Sequence, residues 1–126
     1  MPSYRTERAK VSGLGTARTG TGHFWEQRLS AIALLILTPF FVFTFARALG
    51  APHEQVLAIY ARPFNAIVAA GFVLTAMLHL YQGLTVVIED YVHGRKGTIL
   101  IIAVRLLCAL GALTGTFAIL KIAFTA

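Results

Sequence analysis

The chain has 126 residues, of which 57% are hydrophobic and 13% are charged, and its formal net charge is +6. Its mean hydropathy is +0.74, and so few polar residues cannot cover the apolar surface of a soluble protein. Three long apolar runs, each about the length that crosses a bilayer, leave no separate soluble domain of useful size. The composition therefore predicts an all-α membrane protein with three transmembrane helices.

A basic arm, residues 1–25, precedes the membrane domain of residues 26–126 and is expected to be irregular. The first uncharged run extends from Leu29 to Ala46 and predicts a helix over residues 26–49. Pro39 lies inside this helix, where a kink is expected. The link that follows has room for a short surface helix.

The second run is 26 residues long, without formal charge between Arg62 and Glu89, and predicts a helix over residues 63–92. Pro63 suits the first turn of this helix, and Gly94 suits its C-terminal end. The third run, residues 97–120, is broken only by Arg105 and predicts a helix over residues 98–124.

The cations are distributed as membrane topology would place them, which excludes a nucleic-acid face as the reason for the positive charge. Eight lie before the first helix or around the link between the second and third helices, against three on the other side. The positive-inside bias therefore predicts a cytoplasmic N-terminus and a periplasmic C-terminus, as in a multi-pass protein of the inner membrane. The eight are Arg5, Arg8, Lys10, Arg18, Arg28, Arg95, Lys96 and Arg105, and the three are Arg47, Arg62 and Lys121.

His79 is an ionisable side chain in the middle of the second run, where such groups are costly and usually functional. At 100° per residue, one helix face carries Thr75, His79, Gln82, Gly83 and Asp90. A neutral imidazole beside a recessed glycine suits an axial ligand of haem iron. A hydrogen bond to another helix and proton transfer remain alternatives, and Gly83 equally suits close helix packing.

Asp90 and Tyr91 lie about 16 Å further along the same helix, at the predicted cytoplasmic interface. One interpretation is an interfacial tyrosine beside a solvated carboxylate. The other is a quinone site, in which the phenol donates a hydrogen bond to a quinone carbonyl and the carboxylate keeps protons available.

The run His79-Leu80-Tyr81-Gln82-Gly83, followed by Asp90-Tyr91-Val92-His93-Gly94, resembles the D-type membrane anchor subunit of succinate dehydrogenase, respiratory complex II. The stretch His23-Phe24-Trp25-Glu26-Gln27-Arg28 is similar to the start of that family's first helix. Together with the three-helix plan, the resemblance covers nearly the whole chain from about Thr21.

The resemblance implies that His79 is an axial ligand of haem b, with the second ligand on a C-type cytochrome b anchor subunit. It also implies that Tyr91 and Asp90 belong to the ubiquinone site and that Arg28 contacts a haem propionate. His23 lies near the position of a second propionate contact in the family, and a surface histidine of the interfacial belt is its alternative role.

The implied function is that of a membrane-anchoring subunit of succinate:ubiquinone oxidoreductase, which does not oxidise succinate itself. The chain has one cysteine and no dinucleotide-binding glycine motif, so flavin and iron–sulfur clusters are expected on partner flavoprotein and iron–sulfur subunits. The alternatives are an anchor of a related quinol–fumarate reductase or other haem-b dehydrogenase, and a non-redox structural three-helix protein.

Overall fold

The computed structural model describes residues 4, 6–12 and 20–126, and in this part of the chain it contains helices and no strand. Five helices are present: α1 (Glu7–Ser12), α2 (Gly20–Ala48), α3 (His53–Tyr60), α4 (Pro63–Tyr91) and α5 (Arg95–Thr125). Three of them are long and apolar enough to cross a membrane, over Thr21–Ala48, Pro63–Tyr91 and Arg95–Thr125. The predicted three-span all-α architecture is therefore confirmed.

The largest difference from the sequence-based boundaries is at the start of α2, which begins at Gly20 rather than at residue 26. No proline interrupts residues 20–25, and adding a residue to an existing helix costs far less than starting one. The arm, residues 1–25, is also not irregular throughout, because α1 occupies Glu7–Ser12. Its residues 1–3, 5 and 13–19 lie outside the described part of the chain.

The three spans form a layer in which α4 lies between α2 and α5. In the described chain α2 packs on one side of α4, α5 packs on the other, and α2 and α5 do not contact each other. Because α4 has another membrane-spanning helix on each side, it contains most of the few buried residues in the described chain. The two broad faces of the layer remain apolar and exposed.

Aromatic stacking sets the contact between α2 and α4. The rings of Phe41 and Phe72 lie 4.1 Å apart and almost parallel. On the other side of α4, glycines let α5 approach closely: a Cβ on Gly111 would lie 3.1 Å from the Met77 sulfur, and one on Gly115 would lie 2.9 Å from a methyl of Val73. Small residues at such contacts are typical of membrane helices, whose association depends on close packing.

The connection between α4 and α5 depends on two glycines. Gly94 has a φ of 72°, a left-handed conformation that other residues adopt at a cost. It was expected to end α4, but Val92 is the C-cap of that helix and Gly94 is the N-cap of α5. Gly97 is buried against the Val92 carbonyl so closely that a Cβ there would collide with the backbone oxygen.

The short surface helix expected in the link is confirmed as α3. Pro63 occupies the first turn of α4, as predicted. The amide of Asn65 donates a hydrogen bond of 2.8 Å to the carbonyl of Ile59 and so joins α3 to the start of α4. The helix α2 continues through Pro39 without a break in its assignment.

We expect Gly97→Ala to destabilise the protein by roughly 1–3 kcal/mol, because its methyl group meets a backbone carbonyl that no side-chain rotation can move. The measurement is unfolding of the purified protein in a denaturing detergent series. Gly22→Ala is the matched control, since a Cβ at that exposed helical position meets nothing within 4 Å. Equal stability of the two variants would contradict the proposed collision.

Candidate functional site

A buried serine of α2 joins the polar face of α4. Ser30 Oγ lies 2.9 Å from His79 Nδ1 and 2.9 Å from Gln82 Oε1, and it is also 2.9 Å from the carbonyl of Gln27 in its own helix. Ser30 is 5% exposed and Gln82 is 2% exposed. Unsatisfied polar groups in a bilayer cost several kcal/mol each, so these mutual hydrogen bonds make burial of the group possible.

His79 uses only one of its two ring nitrogens in this network. Nδ1 faces Ser30, whereas Nε2 has no hydrogen-bond partner among the described residues. The histidine is half-buried. An imidazole held at one nitrogen and free at the other is the arrangement that metal-ligating histidines commonly show.

The surface next to His79 on α4 is open and apolar. A Cβ on Gly83 would meet nothing within 4 Å, and Leu80 and Val87 are 46% and 51% exposed. By helical geometry these residues lie on the side of His79 away from Leu78. A flat apolar group could therefore lie against Gly83 with its centre near the imidazole.

A separate cleft of about 560 Å³ lies on the other side of the seam between α2 and α4. Ser30 and Gln82 line it, together with Leu29, Leu78 and other residues, but His79 does not. The hydroxyl therefore lies within the seam, with Gln82 towards the cleft and His79 towards the open surface at Gly83.

Asp90 and Tyr91 form the last two residues of α4, and both are exposed, Tyr91 at 81%. Asp90 is 11 residues after His79, so it lies only about 20° around the helix from it and about 16 Å along the axis. The structure thus keeps His79 and Asp90 on one side of α4, whereas Tyr91, 12 residues after His79, lies about 120° around the helix from it. His79 makes no direct contact with the pair.

Arg28 and His23 lie on α2, towards the end where α4 finishes, because the two helices are antiparallel. Arg28 is exposed and turned about 160° from Ser30, and its guanidinium lies 4.3 Å from the centre of the Phe24 ring. It pairs with no carboxylate in the described chain. His23 is exposed and lies within about 20° of Ser30 around the helix, about two turns nearer to the end.

No group of three or more His, Cys, Asp or Glu side chains that could hold a metal ion is found in the described residues. The chemistry of a b-type haem needs only one imidazole from each side, so His79 by itself matches the donor required from one chain. The free Nε2 and the open surface at Gly83 fit such a group.

Ser30 is the residue of this site to which sequence reasoning gave no role. Its signal was present, since a hydroxyl early in the first apolar run needs a hydrogen-bond partner at membrane depth. The polar face of α4 offered such partners. To predict which residue of α4 bonds Ser30, one must know the register of α2 against α4. The spacing of residues within each helix does not determine that register.

The chain matches the family model described as succinate dehydrogenase/fumarate reductase transmembrane subunit over residues 2–112. It is 44% identical over 99 residues to the succinate dehydrogenase hydrophobic membrane anchor subunit of Paracoccus denitrificans, covering 77% of each chain. It is 32% identical over 104 residues to the subunit of the same name from Rickettsia bellii, covering 82% of this chain and 83% of the relative. No solved structure gives a significant match.

The three-span layer with a hydrogen-bonded intramembrane histidine is that of a multi-pass inner-membrane protein with a polar site between two spans. The chain belongs to the family of succinate dehydrogenase/fumarate reductase transmembrane subunits.

Proposed function

We propose that this chain anchors succinate:ubiquinone oxidoreductase in the membrane and helps to bind haem b and to form the ubiquinone-reduction site. The observation that carries the proposal is the state of His79, which is held at Nδ1 by Ser30 and has no hydrogen-bond partner at Nε2 among the described residues. The open surface at Gly83 lies one turn further along the same helix. The names of the similar subunits support the same function.

In the haem site, His79 Nε2 would hold the haem iron, and the C-type anchor subunit would supply the second ligand. The haem, when bound, accepts and donates single electrons. The guanidinium of Arg28 has no carboxylate partner in the part of the chain that the structure describes, which suits a contact with a propionate. His23 is the second candidate for a propionate contact, because it lies on the Ser30 side of α2 towards the same end.

In the quinone site, Tyr91 donates its phenolic hydrogen to a ubiquinone carbonyl. Reduction to quinol consumes two electrons and two protons, and the neighbouring carboxylate of Asp90 relays protons from the aqueous side. The high exposure of both residues supports this proposal, since quinone and protons must both reach the end of α4.

In the proposed topology, the N-terminus and the link between α4 and α5 lie in the cytoplasm and the C-terminus in the periplasm. The distribution of cations supports this orientation. This orientation turns Asp90 and Tyr91 towards the cytoplasm. Electrons then arrive from flavoprotein and iron–sulfur subunits docked on that face. The exposed apolar faces of the layer suit contact with the C-type subunit and with lipid.

An anchor of a quinol–fumarate reductase is the second candidate, because the family description covers both enzymes. The names of the similar subunits favour succinate dehydrogenase. Membership of this family argues against a purely structural three-helix protein.

We expect His79→Ala to abolish or strongly alter the b-type absorbance of the complex assembled with its C-type partner, because an axial ligand is removed. Reduced-minus-oxidised spectra measure this. His53→Ala, an exposed histidine in α3 at the other end of the layer, is the matched control and should leave the spectrum intact. An unchanged spectrum in His79→Ala would show that the ligand assignment is wrong.

We expect Tyr91→Phe to slow electron transfer from succinate to ubiquinone about fivefold, the equivalent of one lost hydrogen bond of about 1 kcal/mol. Succinate oxidation by an artificial dye should stay intact, because that reaction does not use the quinone site. Tyr60→Phe, in α3, is the control. Equal loss of both activities in Tyr91→Phe would indicate failed assembly instead of a quinone contact.

A further inference from the structure

The Ser30 hydroxyl has three hydrogen-bond partners at 2.9 Å and only one hydrogen to donate. The Gln27 carbonyl and Gln82 Oε1 can only accept. These two acceptors already compete for the single hydroxyl hydrogen. The third partner, His79 Nδ1, is an acceptor or a donor depending on which ring nitrogen carries the proton.

The cluster of Ser30 and its three partners forms the most hydrogen bonds when His79 Nδ1 acts as a donor. If Nδ1 were a third acceptor, the single hydroxyl hydrogen of Ser30 could reach only one of the three acceptors. The other two would then lack that hydrogen at a site where Ser30 and Gln82 are almost completely buried, which is costly. If Nδ1 carries the proton, it donates to an oxygen lone pair of Ser30, and the hydroxyl hydrogen goes to Gln27 or Gln82. The lone pair of the ring then lies at Nε2.

We propose that Ser30 is a positioning residue that fixes the Nδ1-protonated tautomer and the ring orientation of His79, so that Nε2 presents its lone pair to the haem iron. This inference rests on the proposed function, because it needs His79 to be the ligand. Ser30 does not touch the iron itself. It acts through the imidazole, from a different helix.

Two properties of the ligand follow from this hydrogen bond. An acceptor at Nδ1–H makes the imidazole a stronger electron donor, which stabilises ferric relative to ferrous iron. It also restricts rotation of the ring about the bond to Cβ, so the ligand is preorganised before the iron arrives. Gln27 and Gln82 are the two acceptors for the hydroxyl hydrogen, and with the hydrogen bonded to either of them a lone pair of Ser30 is left for Nδ1.

The test uses the assembled complex carrying Ser30→Ala, Ser30→Cys or Ser30→Thr. Three readouts do not depend on activity: the haem midpoint potential, the largest g value of the ferric haem by EPR, and the rate of haem transfer to apomyoglobin. In Ser30→Ala we expect a more positive midpoint potential, a shifted g value and haem release about 10–100-fold faster, the usual effect of removing a partner of a metal-ligating histidine.

The other variants separate hydrogen bonding from packing. Ser30→Thr keeps the hydroxyl and should restore the wild-type values, whereas the weakly accepting thiol of Ser30→Cys should give intermediate ones. Thr44→Ala is the matched control, since Thr44 is an equally buried hydroxyl of α2 that bonds only carbonyls of its own helix. It should leave all three readouts unchanged.

The inference would be overturned if Ser30→Ala kept the wild-type midpoint potential, g value and haem-release rate. It would also be overturned if all three substitutions had equal effects, because the role of Ser30 would then be packing. A His79→Ala complex measured alongside separates the two proposals. If that variant loses the b-type spectrum while Ser30→Ala behaves as wild type, His79 remains the ligand and only the role of Ser30 is wrong. If His79→Ala keeps the spectrum, the ligand assignment itself fails.

Discussion

The hydrogen bond between Ser30 and His79 is the interaction on which the organisation of this membrane site depends. It joins α2 to α4 inside the layer, and it does so at a depth where an unpaired polar group is costly. This hydrogen bond lowers the cost of placing an imidazole at that depth, because it pairs one of the two ring nitrogens. Nδ1 is satisfied by Ser30, and Nε2, which has no hydrogen-bond partner among the described residues, stays available for the proposed ligation. The alternatives of interhelical hydrogen bonding and haem ligation are thus compatible, because each uses a different ring nitrogen.

The layered arrangement is the reason for proposing that another subunit completes the site. With α4 between two helices that do not contact each other, the described chain encloses no large cofactor, and the surface at Gly83 stays open. A haem placed there would be covered on one side only, and we propose that a partner supplies the opposite ligand and wall. The polar face of α4 continues from His79 to Asp90, about 16 Å along the axis, and Tyr91 follows at the end of the helix.

Much of the fold could be predicted from the sequence, because long apolar runs have few solutions in a bilayer other than helices. The three spans, the helix in the link and the place of Pro63 follow from local signals. The early start of α2 at Gly20 does not, since helix propagation from a stable span overrides weak local preferences. The partner of His79 could not be predicted either. Its identity depends on the register of α2 against α4, which packing such as that of Phe41 on Phe72 determines.

We propose that His79 is held by Ser30 at one ring nitrogen and offers the other to haem iron. An experimental structure of the assembled complex, resolved well enough to place the imidazole ring, measures this most directly. We predict that Ser30 Oγ lies within hydrogen-bond distance of Nδ1 and that Nε2 is bonded to the iron. A ring turned so that Nδ1 ligates the iron, or a His79 side chain directed away from the haem, would contradict the account.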